Sequence, residues 1–190
     1  MSPSAIRRAT VAVYCAAHHG NHPEFVEVAQ EVGEALATQG FDLVYGGGSV
    51  GLMGEVANSM IAHGARATGV ITRHLYEMEV AHLSLDELIV VDTMPLRKAE
   101  MFDRADAFVV LPGGVGTLEE LFEVWCWASL RLHHKPIVLV NVDGFFDSLM
   151  TFIGSAVTAG LVSQHAFECV SVANDVDGVV AALNKVVSCR

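Results

Sequence analysis

Basic charge is what this chain has least of. Eleven Lys and Arg stand against 22 Asp and Glu, a formal net charge of −11, and no basic stretch offsets the excess. Arg7-Arg8 is the only basic pair near a terminus. A nucleic-acid backbone needs a concentrated cationic footprint, so nucleic-acid binding is not expected. The lysines are Lys98, Lys135 and Lys185 alone, which leaves little for imine chemistry on a pyridoxal cofactor. Cysteine is sparse too: Cys15, Cys126, Cys169 and Cys189 are far apart without a C-x-x-C step. That spacing argues against a disulfide framework and a zinc site, and suits reduced thiols in a cytoplasm. No apolar run reaches the roughly 20 residues of a membrane helix. Arg7-Arg8 followed by Thr10–Ala17 superficially resembles a secretory signal, but the run is short and β-branched and reads as a first strand.

What is present is alternation. Strand patterns are expected at Val11–Cys15, Phe41–Tyr45, Ala67–Ile71, Leu88–Val91, Ala107–Leu111, Ile137–Val142 and Cys169–Val172. Helical spacing is expected at Pro23–Thr38, Leu52–His63, Leu96–Arg104, Thr117–Leu132, Phe145–Thr158 and Val176–Val187, with His74–Leu83 irregular. No linker, repeat or low-complexity tract interrupts the 190 residues, of which 52% are hydrophobic. One domain follows, a doubly wound, mostly parallel, Rossmann-like α/β fold. Such sheets bind ligands at the carboxyl ends of their strands, near the topological switch point.

Two glycine turns follow strands and should open on that same edge. Gly46-Gly47-Gly48-Ser49-Val50-Gly51 formally satisfies G-x-G-x-x-G, although it lies after the second strand and no acid ends the next one to hold a ribose. Arg73 leaves NADP open, and a tight packing turn is the plain alternative. The second turn, Pro112-Gly113-Gly114-Val115-Gly116, leads from a buried strand into a helix and forms a ready phosphate site. Thr117-Leu118-Glu119-Glu120 reads both as a capping box, with Thr117 as N-cap, and as acids set on the first helical turn beside that phosphate. Arg97 stands at the expected ligand edge with a planar fork for phosphate or carboxylate, whereas Lys98 also fits an ordinary solvated helix start. His18, His19 and His22 lack the acid or cysteine that would complete a metal set, so no metal is expected. His133 and His134 fit the end of a helix dipole, and Trp125 fits the core or a subunit contact.

Gly46–Gly54, Arg97-Lys98-Ala99-Glu100-Met101 and Pro112–Glu120 resemble the LONELY GUY (LOG) family of cytokinin riboside 5′-monophosphate phosphoribohydrolases, often mislabelled as lysine decarboxylases. The resemblance runs from Val11 to about Val172 and is carried chiefly by P-G-G-x-G-T-x-x-E. It implies a cofactor-free homodimer that hydrolyses the N-glycosidic bond of a purine nucleoside 5′-monophosphate, releasing base and ribose 5-phosphate. It carries a catalytic pair onto Arg97 and Glu120. It carries substrate contacts onto Gly46, Gly47, Gly48, Ser49, Lys98, Gly113, Gly114, Gly116 and Thr117, and onto Glu79 near the base or ribose. Two places depart from the family: Ala16-Ala17-His18 stands where Gly-Ser-Ser is usual, and Met94-Pro95-Leu96 where Met-His precedes the arginine. A nucleotide-binding module without catalysis, taking AMP or NADP, and a broader nucleoside monophosphate glycosidase are the alternatives.

Overall fold

The computed structural model describes residues 8–78, 81, 82 and 84–188. Seven strands form one all-parallel sheet: β1 (Ala9–Tyr14), β2 (Phe41–Tyr45), β3 (Ala67–Thr72), β4 (Glu87–Val91), β5 (Ala107–Val110), β6 (Ile137–Val140) and β7 (Val170–Ala173). Their spatial order is β4-β3-β2-β1-β5-β6-β7. The chain winds outward from β1 to β4, then returns to β1's other side and winds outward again to β7. The switch point therefore lies between β1 and β5, where Val11 pairs with Leu43 on one side and Ala107 on the other.

Helices cover both faces, which is why the inner strands read as continuous apolar runs. On one face, α1 (Pro23–Thr38), α2 (Gly51–Ala62) and α8 (Val176–Ser188) pack over Val11, Val13, Leu43 and Val109. On the other, α4 (Met94–Arg104), α5 (Val115–Ser129) and α6 (Asp147–Thr158) cover Ala12, Tyr14, Val44, Phe108 and Val110. Phe108 stacks between Tyr14 and Phe102, with centroids 5.8 Å from each. His133 lies just past the carboxyl end of α5, and its ring bonds to a carbonyl inside the helix rather than meeting the dipole with a charge. Its Nε2 donates to the Val124 carbonyl at 2.9 Å while Nδ1 accepts from Lys135 N–H, so the buried ring acts as a neutral donor rather than a charge. Burial lowers its pKa accordingly.

The strand expectations hold within a residue or two, and several helix boundaries move. Part of the segment expected to be irregular forms a short helix, α3 (Arg73–Met78). A 3-10 turn at Val142–Gly144, with Asp143 at φ 47°, precedes α6, and α7 (Gln164–Glu168) was not foreseen. Both are single turns, too short to show periodicity. One close approach shapes the ligand edge. Gly51 sits at φ +62°, and any Cβ there would overlap the backbone of Ala17 and His18 in the loop after β1. Gly51→Ala should therefore cost about 2–4 kcal/mol, combining left-handed strain with overpacking, read as a lower urea midpoint with an unchanged slope.

Candidate functional site

A cavity of about 300 Å³ opens where the carboxyl ends of β1, β2 and β5 meet. Its wall takes Tyr14, Cys15 and Ala16–His18 from the end of β1, Gly46 from β2, Met94 and Arg97 from α4, and Gly114, Gly116, Thr117, Glu119 and Glu120 from the second glycine turn and α5. Both glycine turns thus reach one crevice beside the switch point, as their position after strands requires.

Arg97 enters from the first turn of α4, where the Thr93 hydroxyl accepts Leu96 N–H at 3.4 Å as the N-cap. The side chain is 7% exposed. Its Nε donates to the Val70 carbonyl and its Nη2 to the Gly46 carbonyl, each at 2.9 Å. A Cβ on Gly46 would collide with Nη2, so glycine is needed there to admit the guanidinium rather than for its backbone freedom. Among the described residues Nη1 has only the Met94 thioether at 3.9 Å, a weak acceptor, and it stands on the cavity side with donors to spare.

Glu120 stands in the second turn of α5, half-buried at the cavity wall, and among the described residues it makes no ion pair or side-chain hydrogen bond. Burial pushes its carboxyl up to about 7, against the lowering pull of Arg97 and Lys98 and with the help of Glu119 and Glu123. Tyr14, 3% exposed on the same wall, keeps its phenol proton far above the ordinary range, through burial first and the nearby Glu120 second. It offers an O–H in a place that sequence reasoning passed over. Tyr14 carries no motif, but the last residues of the strand at a switch point are a usable signal for it.

The capping box is not formed. Helix α5 begins at Val115 with Gly114 as its extended N-cap, φ −91° and ψ −154°. Thr117 is the third helical residue, and its side chain is buried against Gly113, where a Cβ would overlap it. Glycine tolerates the N-cap conformation well, so the N-cap falls three residues early, at Gly114 instead of Thr117, and Glu119 and Glu120 fall nearly one turn further in than expected. That shift leaves the Glu120 carboxyl facing the crevice rather than folding back on the backbone.

Lys98 is not brought to the cavity. Its ammonium donates to Glu119 and, at 3.1 Å, to Glu123, one turn apart on α5. Burial, which lowers its pKa, is outweighed by those hydrogen bonds. Lys98 therefore braces the helix that carries Arg97 against the helix that carries Glu120. In the first glycine turn only Gly46 lines the cavity. Gly47 packs at φ +77° against Leu88 and Gly69, its carbonyl accepts His82 N–H at 3.1 Å, and Gly48 bridges to Ala81. Gly47 and Gly48 thus pack against β3, β4 and residues 81 and 82, and Gly47, Gly48 and Ser49 do not line the cavity. Glu79 lies outside the described residues. His19 is paired with Glu55 and His22 packs on Phe25, while His18 lines the cavity.

An open parallel sheet with a guanidinium, an isolated carboxyl and a glycine turn converging at its switch point belongs to the α/β proteins that hold small anionic ligands at the strand ends. Residues 53–183 match the family model described as "Possible lysine decarboxylase". The chain is 45% identical over 166 residues to the cytokinin riboside 5′-monophosphate phosphoribohydrolase LOG2 of Arabidopsis thaliana, covering 87% of this chain and 78% of that protein. It is 49% identical over 173 residues to the enzyme of that name from Mycobacterium tuberculosis, covering 91% of this chain and 92% of that protein. In fold it is similar to the Moco carrier protein of Chlamydomonas reinhardtii, with a TM-score of 0.71, 24% identity, and 97% and 100% of the two chains covered. The chain belongs to the LOG family of phosphoribohydrolases.

The raised Glu120 pKa has a sign that stability measurements can read. Between the ordinary carboxylate value and about 7 the folded state binds more protons than the unfolded one, so stability falls as pH rises through that window. Glu120→Gln removes the penalty. The variant should be more stable than wild type by about 1–3 kcal/mol at pH 8 and indistinguishable from it at pH 4, by urea unfolding at both values.

Proposed function

We propose that this chain hydrolyses the N-glycosidic bond of N6-modified adenosine 5′-monophosphates of the cytokinin class, and of AMP itself, to free base and ribose 5-phosphate. One observation carries the reading: an unpaired carboxyl pushed up to about 7 shares a 300 Å³ cavity with a buried guanidinium and a glycine-rich helix start. In this reading the 5′-phosphate rests against the N–H groups at Gly114, Gly116 and Thr117, where the positive end of the α5 dipole favours it. Glu120 follows Thr117 by nearly one turn, about 4.5 Å along the axis, which suits the reach from a 5′-phosphate to the anomeric carbon.

Breaking the ribosyl–purine bond develops positive charge on the sugar. The Glu120 carboxylate stabilises that charge and takes the proton of a water attacking C1′, as the base of an inverting glycosidase does, while the C1′–N9 bond breaks with its electron pair on the purine, which takes up a proton from solvent. Arg97 orients the nucleotide through Nη1 while its other nitrogens hold the strand ends. Binding energy collected at the phosphate positions the bond that reacts. No lysine lines the cavity among the described residues, and Lys98 is held by two acids. The decarboxylase label therefore finds no amine placed for an imine.

We further propose a homodimer in which a second copy covers the exposed apolar side chains beside the cavity, Leu96 and Met94 on α4 and Val115 and Phe122 on α5. Cys15, Cys126 and Cys169 are free, which suits a reducing cytoplasm. Among the described residues no helix is long and apolar enough to cross a membrane.

Incubation with AMP and its N6-prenylated analogue, followed by separation of free base from nucleotide, tests the reaction. Its kcat/KM should climb about tenfold per pH unit below about pH 7 and level off above it, as a base of that pKa requires. Glu120→Gln should lower kcat by about 10²–10⁴-fold and flatten that profile while the protein stays folded. Full turnover by Glu120→Gln, or AMP bound but recovered intact by wild type, would overturn the hydrolase reading; the second result would leave a binding module.

A further inference from the structure

Glu120 and Arg97 leave one polar group of the crevice without a task, the Tyr14 phenol. Tyr14 ends β1 at the switch point, paired with Val110 of β5, and its carbonyl accepts Leu111 N–H at 2.9 Å. The strand end is thereby tied to the chain that enters the second glycine turn. Alternation along the strand sends Val13 and Cys15 toward α1 and α2, and Ala12 and Tyr14 toward α4 and α5. There the ring stacks on Phe108, with centroids 5.8 Å apart, and packs in one cluster with Met101, Leu121 and Val124. Among the described residues its hydroxyl has no hydrogen-bond partner, and unlike the Tyr45 hydroxyl it is not sealed inside the core.

Glu120 comes to the same place from α5. Thr117, Glu120 and Val124 follow one another at steps of three and four, and Thr117 and Val124 are buried. Glu120 therefore lies on the stripe of the helix that faces the sheet. Its side chain leans toward the start of the helix, which is the ligand edge. Carboxyl and phenol line one cavity, and among the described residues no hydrogen bond joins them. Burial, and after it the charge of Glu120, hold the phenol pKa well above its ordinary value. Tyr14 is thus an uncharged O–H donor throughout the neutral range, kept at a fixed point by its packing.

A nucleotide carries its purine on one face of the sugar ring and its 2′-hydroxyl on the other. Water that attacks C1′ opposite the departing base, as in an inverting glycosidase, approaches from the 2′-hydroxyl side. Glu120 must stand on that side to take its proton. C2′ is bonded directly to C1′, so a hydroxyl donor beside Glu120 on the same wall has the 2′-oxygen as its nearest sugar acceptor. We propose that the Tyr14 O–H donates a hydrogen bond to the ribose 2′-hydroxyl of the bound nucleotide and makes the site selective for ribonucleotides over 2′-deoxyribonucleotides. The inference rests on the hydrolase reading and adds a specificity-determining residue to it. A 2′-hydroxyl accepts such a bond while keeping its own proton to donate, and hydrogen bonds there strengthen as positive charge develops on the sugar. A deoxyribose leaves the buried phenol without a partner, and that penalty falls on the deoxy substrate alone.

The experiment measures kcat/KM for AMP and for dAMP with the full chain and with Tyr14→Phe, which keeps the ring on Phe108 and removes only the hydroxyl. Tyr14→Phe should lower kcat/KM for AMP about tenfold, the effect of one hydrogen bond, and leave that for dAMP unchanged. Any difference in the inherent reactivity of the two glycosidic bonds is common to both proteins and cancels when their AMP-to-dAMP ratios are compared. A ratio that Tyr14→Phe leaves unaltered overturns the proposal. That holds whether both rates fall together, the mark of a phenol that holds the attacking water or merely packs, or neither moves. Calorimetric titration with the same two nucleotides needs no variant: dAMP should bind wild type about tenfold more weakly than AMP, and equal binding overturns the proposal. It also separates this contact from the hydrolase reading. If wild type releases no base, that reading falls, yet a preference for binding AMP over dAMP that Tyr14→Phe abolishes still sustains the 2′-hydroxyl contact. A preference that the variant keeps ends it.

Discussion

The Arg97 guanidinium is the interaction around which the ligand edge is organised. Buried beneath the ends of β2 and β3, it satisfies the carbonyls of Gly46 and Val70 at the point where the parallel ladder stops. A cation so placed is tolerated because its donors are met by strand carbonyls and acids stand across the cavity. It also sets the identity of its neighbours: position 46 has no room for a side chain, and α4 must start where Thr93 caps it. The same group therefore terminates the sheet, seats a helix and turns one nitrogen with donors to spare toward the cavity.

Against this fixed cation, Glu120 is held in a costly state. Its carboxyl is desolvated without the compensation of a direct ion pair, and Lys98 is turned away to Glu119 and Glu123. Had Lys98 paired with Glu120 instead, the carboxyl would be locked as a poor base. The ion cluster between α4 and α5 thus leaves Glu120 unpaired, with its carboxyl raised to about 7. The desolvated carboxyl costs stability locally, a common feature of polar groups set into otherwise well-packed sheets.

Much of this was legible in the chain. Apolar runs such as Ala107–Leu111 name their own strands because both faces are buried, and the glycines after β2 and β5 mark where the chain turns at the ligand edge. Helix starts were less legible. Thr117 followed three residues later by Glu120 has the spacing of a capping box, but Gly114 accepts the N-cap role and the helix opens earlier, a choice settled by tight packing of Thr117 on Gly113. The split within Gly46–Ser49, one residue at the cavity and three away from it, goes with the pairing of Gly47 and Gly48 to residues 82 and 81, which no local pattern announces. Tyr14 was hidden for the opposite reason, since an aromatic at a strand end looks like core from its spacing, and here it is core and wall together.

The loop after β1 is anchored through main-chain atoms alone: the amide and carbonyl of Ala16 reach Pro112 and Met53, and the path of Ala17 and His18 is set by the bare Gly51. Its shape is therefore largely indifferent to which side chains it carries. Mutational drift can sample new chemistry at this rim without disturbing the scaffold, so related chains sharing one backbone can diverge in what they accept, and a designer wishing to retune this crevice has a natural place to begin.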